Sequence, residues 1–136
     1  MHPLPREALH VRTLALALTA LVALEHFDFL GLEMFAWTLP LGQSAFHTTA
    51  EFAASTAALA ANQGLYNGFL AAGLAFALWR GDVALRLFFL GCVVVAGLFG
   101  AATAFIDILF VQALPAALAT AATLAARPRA ATESPP

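Results

Sequence analysis

The chain has 136 residues, of which 62% are hydrophobic and 10% charged, with a formal net charge of −2. A mean hydropathy of +0.86 and a charged fraction well under the roughly 25% of soluble domains point away from an ordinary water-soluble globule, and six arginines scattered without a lysine make no basic patch for nucleic acid. A lone cysteine, Cys92, excludes a disulfide framework and a cysteine-based metal site, and reads as a small buried hydrophobe.

Residues 1–10 are polar, and Pro3 and Pro5 predict an irregular N-terminal segment. From Val11 the chain is apolar as far as Leu39. Arg6 and Arg12 before a Leu/Ala run resemble a signal peptide, but the apolar character continues through Phe27, Phe29, Met34 and Trp37 without a clean cleavage site. The reading is a retained first helix over Val11–Thr38, long enough to span a bilayer with tilt or a bend near Gly31. Its second half carries Glu25, His26, Asp28 and Glu33 within an arc of about 160°. A carboxylate at the centre of a lipid-facing helix costs roughly 2.5–3.5 kcal/mol, whereas each Leu or Val returns only about 0.3–0.6 kcal/mol. These groups must therefore face protein or water, hold a proton, or hold a cation.

Pro40 and Gly42 predict a turn. Ala45–Ala61 is Ala-rich and helical, either lying along the interface or extending the second span outward. His47 and Glu51, four apart, could share a metal or form a helix-surface pair. The second span, Ala58–Trp79, contains Asn62, Gln63, Tyr66 and Asn67 within an arc of about 140°. Opposite lies a small-residue stripe that includes Ala60, Gly64, Gly68 and Ala71, a face for close helix packing within the protomer or across a homodimer through Gly64 and Gly68. Leu65, Phe69 and Phe76 suit lipid tails.

After the charged turn Arg80–Asp82, some forty residues without arginine follow Arg86, too many for one span of about 20 residues. Dividing them near Thr103 and Asp107 gives a third helix, Ala84–Ala102, with Gly91, Gly97 and Gly100, and a fourth, Phe105–Ala126, with Gln112 and a bend at Pro115. Residues 127–136 read as a disordered polar tail.

Arginines flank the first helix at its start, the turn between helices two and three, and the end of helix four; the other two connections have none. The positive-inside rule then predicts an all-α, four-helix transmembrane bundle over residues 11–126 with both termini cytoplasmic, in the inner membrane. That topology gathers Glu25, His26, Glu33, Asn62, Gln63, Tyr66, Asn67 and Asp107 in the outward half as candidate ligand-binding residues, with His47 and Glu51 at its mouth. The set has no lysine or arginine, so a shared proton, a bound metal with candidates His26, Glu33, His47 and Glu51, or a cationic ligand would each resolve it.

The run Asn62–Leu74 (NQGLYNGFLAAGL), preceded by Glu33-Met34-Phe35-x-Trp37-x-x-Pro40 and followed by Cys92, Ala96-Gly97, Gly100, Thr103 and Gln112-x-x-Pro115-Ala116, resembles the domain-of-unknown-function 1304 family of small bacterial integral membrane proteins. The resemblance implies four membrane helices and carries no activity, cofactor or site residue with it. The residues themselves predict a protein that binds or transports a small cation, metal ion or polar solute. Two alternatives stand beside it. One is a membrane enzyme using His26 with Glu33 as base and orienting acid and Tyr66 as donor on a lipophilic substrate. The other is a structural or accessory subunit. No nucleophile motif or cofactor fingerprint supports the enzyme, and the cofactor stays unknown.

Overall fold

The computed structural model describes residues 6–127, and within them the chain is all helical. Helix α1 runs Arg6–Phe35, α2 is the short Pro40–Ala45, α3 runs Ala50–Arg80 and α4 Val83–Thr103. A π-helical turn, Leu109–Ala113, leads directly into α5, Leu114–Ala125. Residues 1–5 and 128–136, and with them most of the expected disordered tail, lie outside the described residues.

Local chemistry explains most of these boundaries. The Thr49 hydroxyl accepts the Phe52 N–H (3.2 Å) and starts α3. Gly81, at φ 64°, ends α3 in the left-handed conformation that only glycine adopts without cost. One residue on, Asp82 caps α4 by accepting the Leu85 N–H (3.0 Å). Gly81 and Asp82 therefore reverse the chain in two residues.

Several expected boundaries are corrected. Helix α1 already begins at Arg6, so Arg6–His10 is helical rather than irregular, and it passes Gly31 as continuous helix. It stops at Phe35, before Pro40, which instead opens α2 at its first turn. Ala50–Arg80 is one helix, so the Ala-rich stretch extends the second pass. The bend expected at Pro115 takes the form of the π turn just before it, closed by the Leu114 N–H donating to the Leu109 carbonyl. Proline has no N–H to continue an ordinary ladder, and a π turn absorbs the mismatch.

Helix α1 packs on α3, α3 on α4, α4 on the π turn and α5, and α5 back on α1, so the four long passes form a closed ring. Their shared core is Val22, Ala23, Leu74, Leu90, Val93, Ala116 and Ala119. Ten of the fourteen buried hydrophobic residues are alanine, which lets backbones approach closely. The bulkier Phe69, Phe76, Phe88, Phe99 and Phe110 point outward, and Leu65 is exposed with them.

Candidate functional site

Helices α1 and α3 approach closely at Gly64. A methyl group built on Gly64 would stand 3.0 Å from the Met34 backbone N and 3.2 Å from the Leu30 carbonyl oxygen. Gly68 faces the Leu30 side chain, and further along the same seam Trp37 Nε1–H donates to the Thr56 hydroxyl (3.1 Å). The glycine stripe is thus occupied by α1 of the same chain. Of the two contacts expected for Gly64 and Gly68, within the protomer or across a homodimer, the structure describes the one within the protomer.

Beside Gly64 the seam carries one polar link. Asn67 Nδ2–H donates to Glu33 Oε2 at 2.7 Å, with Asn67 buried and Glu33 half-buried. Asn67 falls on the packing face because it lies three residues after Gly64 and four before Ala71, both buried. Asn62, Gln63 and Tyr66 do not join it: the first two are exposed and Tyr66 is 52% exposed, its ring edge against Phe69. The expected network around one shared cavity is therefore reduced to a single carboxylate–amide pair.

His26 lies two turns from Glu33 on the inner face of α1 and is fully buried. Its Nδ1 meets the Val22 carbonyl at 2.8 Å, and since a carbonyl only accepts, Nδ1 carries the proton. In the neutral ring Nε2 then offers a lone pair, and that atom is buried without a partner. This bond also removes the arrangement in which Glu33 would orient His26, because the position is taken by backbone. Glu25 is half-buried and its Oε2 has no partner either.

The remaining candidates stand apart. Asp28 is exposed, and Asp107 is exposed in the connection between α4 and the π turn. His47 and Glu51 do not share a helix face: His47 sits before the Thr49 cap, exposed and with φ 52°, while Glu51 is in the first turn of α3. Among the described residues no three or more His, Cys, Asp or Glu side chains gather as a metal site, so His26, Glu33, His47 and Glu51 are not brought together.

Beyond the expected candidates, Thr19, Arg86 and Thr123 are also buried polar residues. Arg86, an orienting charge by sequence, is 5% exposed and lies on the core face of α4 with Leu90, Val93 and Gly97. The signal was present, since Arg86, Leu90, Val93 and Gly97 follow a helical 4-3-4 spacing.

Two helices, Arg6–Phe35 and Val83–Thr103, are long and apolar enough to cross a membrane. Leu109–Ala125 is a shorter apolar helical stretch. No curated protein and no solved structure matches the chain. One family does, that described as "Protein of unknown function (DUF1304)", over residues 20–124, a span that holds the Glu33–Asn67 seam, the glycine faces, Arg86 and the π turn together. The chain belongs to that family.

Proposed function

We propose that this protein is a four-span integral membrane protein, with both termini cytoplasmic, that binds small cations or other hydrogen-bond-donating solutes at separate acceptors along α1, Glu25 and His26 at one level and Glu33 with Asn67 two turns on. The membrane reading is supported by an inside-out distribution of size. Alanine fills the interior while large Phe and Leu side chains cover the outside of every long helix. Such packing suits lipid, where close backbone contact rather than hydrophobic burial holds helices together. The arginine placement supports the orientation and an inner-membrane location.

The observation that carries the binding reading is the chemistry of the unpartnered atoms on α1. Glu25 Oε2 and His26 Nε2 are both buried without a partner, and Glu33 has accepted only one hydrogen bond from Asn67. Carboxylates and a neutral imidazole nitrogen are acceptors, so the missing partner is a donor: a cation, an ammonium group or a protonated solute. Transport would require a further path through the arginine-bearing half.

The test is thermal unfolding of the purified full-length protein titrated with sodium, potassium, magnesium, zinc and methylammonium chlorides. One of these should raise the melting temperature of the wild type, and E33Q or E25Q should abolish the rise while remaining folded. No shift with any of the five, or a shift unchanged in both variants, would overturn the binding reading. Reporter fusions at each terminus test the topology separately.

A second reading has its own support. Asn62, Gln63 and Tyr66 are exposed on the outer side of α3, and amides facing hydrocarbon favour a neighbouring helix that can pair with them. An accessory or structural subunit, or a homodimer through this face, would supply that helix. Disulfide trapping of N62C in membranes, with C92A as background, distinguishes a second copy from a different partner.

A further inference from the structure

We propose that Arg86 and Arg12 form a binding site for a phosphoryl group at the arginine-bearing end of the bundle, the phosphate of an anionic lipid headgroup being its source in the membrane. The site shares no residue with the one around Glu33, although its lipid source rests on the membrane reading.

Three observations converge there. Arg86 is 5% exposed, projects from the core face of α4, and its Nε is buried with no hydrogen-bond partner. Arg12 on α1 adds a second positive charge to its surroundings. Thr123 on α5 is 2% exposed, and its hydroxyl is likewise buried without a partner. Helices α4 and α5 run antiparallel, with Gly100 opposite Ile108, Gly97 opposite Ala113, and Gln112 reaching the Val93 carbonyl. Continuing that register brings Thr123 to within about one turn of Arg86.

A guanidinium taken out of water needs an acceptor, and a second guanidinium nearby makes the deficit larger. Asp82, one turn before Arg86, has an oxygen committed to capping the Leu85 N–H. Arginine presents a planar fork of donors that matches the oxygens of a phosphate, and Thr123 adds a hydroxyl. Basic pockets between membrane helices on the cytoplasmic side bind anionic headgroups by this chemistry.

Native mass spectrometry of the full-length protein, purified with a one-to-one mixture of phosphatidylglycerol and phosphatidylcholine, tests the proposal. Wild type should retain phosphatidylglycerol over phosphatidylcholine by roughly tenfold, the scale of one to two cationic contacts at a headgroup. R86Q should bring the two lipids close to parity, and R12Q should do so in part. R80Q, at an exposed position near the same end, should keep the preference. If R86Q does not fold, R12Q, also exposed, carries the test. Added inorganic phosphate distinguishes the sources: displacement of lipid at millimolar concentration means the phosphoryl group alone is recognised, and no displacement means the lipid is required. Equal retention of both lipids by the wild type, or a preference unchanged in R12Q and R86Q alike, would overturn the site. A preference that appears only after deletion of residues 128–136, which contain Glu133, would overturn it too, by making the chain's own carboxylate the anion.

Discussion

Two of the four seams in the ring of helices use the same parts to different effect. In the α1–α3 seam Gly64 admits the backbone of α1, and beside it Asn67 donates to Glu33 at 2.7 Å. In the α4–α5 seam Gly97 admits the backbone of Ala113, and beside it Gln112 reaches the Val93 carbonyl at 3.5 Å. The first link ends on a carboxyl oxygen at short range; the second ends on a carbonyl already engaged in its helix and sits at the limit of a hydrogen bond. A glycine contact therefore closes either seam, but only one seam has a polar lock. The other instead carries a helical irregularity, the π turn before Pro115.

The largest effect should come from filling the glycines. Gly97→Leu and Gly64→Leu both push a side chain into backbone, with the nearest atoms of Ala113 at 2.8 Å and of Met34 at 3.0 Å from a Cβ. Each should lose about 1–3 kcal/mol or fail to fold, read by steric trapping or thermal unfolding in detergent. Gly68→Ala should be milder, because what a methyl meets there is the end of the Leu30 side chain, 2.9 Å away. Equal losses at Gly64 and Gly68 would mean that the backbone approach does not govern the seam.

Next in size is the lock itself. Asn67→Ala should cost about 0.6–1.7 kcal/mol, the range of interhelical hydrogen bonds in membranes. A double-mutant cycle with Glu33→Gln should return coupling between the two positions, which independent side chains would not give. Smaller again is Gln112→Leu, expected to change stability by no more than about 0.5 kcal/mol, since a 3.5 Å contact contributes little. A loss as large as that of Asn67→Ala would erase the distinction between the seams. Smallest is His47→Gly. Relief of a left-handed φ of 52° is offset by added freedom in the unfolded chain, leaving a net change below about 0.5 kcal/mol by thermal unfolding.

Much of the helical layout was legible because long apolar stretches interrupted by Gly, Asp and Pro leave few other options. The Gly81–Asp82 reversal and the small-residue face of α3 follow directly from residue type. The inner polar site was less legible. Grouping Asn67 with Asn62, Gln63 and Tyr66 by polarity obscured its position at the edge of their arc, where the next helix decides which side of α3 is inside. Asn67 shares its face with Gly64 and Ala71, and that face won. His47 and Glu51 failed as a pair because Thr49 caps the helix between them, a local bond that spacing alone does not reveal. Arg86 was missed because arginines were weighed as orienting charges before their helical periodicity was considered.

The unequal lengths of the passes have a mechanical consequence. Helices α1 and α3 have 30 and 31 residues, about 45 Å each at 1.5 Å per residue, whereas α4 has 21 residues, about 32 Å. On the membrane reading proposed above, α4 would match a hydrocarbon core near 30 Å, while α1 and α3 would tilt or stand proud of it. The first turns of α3, with Glu51 and Ser55 exposed, would then form a post above the plane, joined to the segment just after α1 by the Trp37–Thr56 contact. Lipid around such a bundle would be deformed unevenly, thickened along one flank and relaxed along the other.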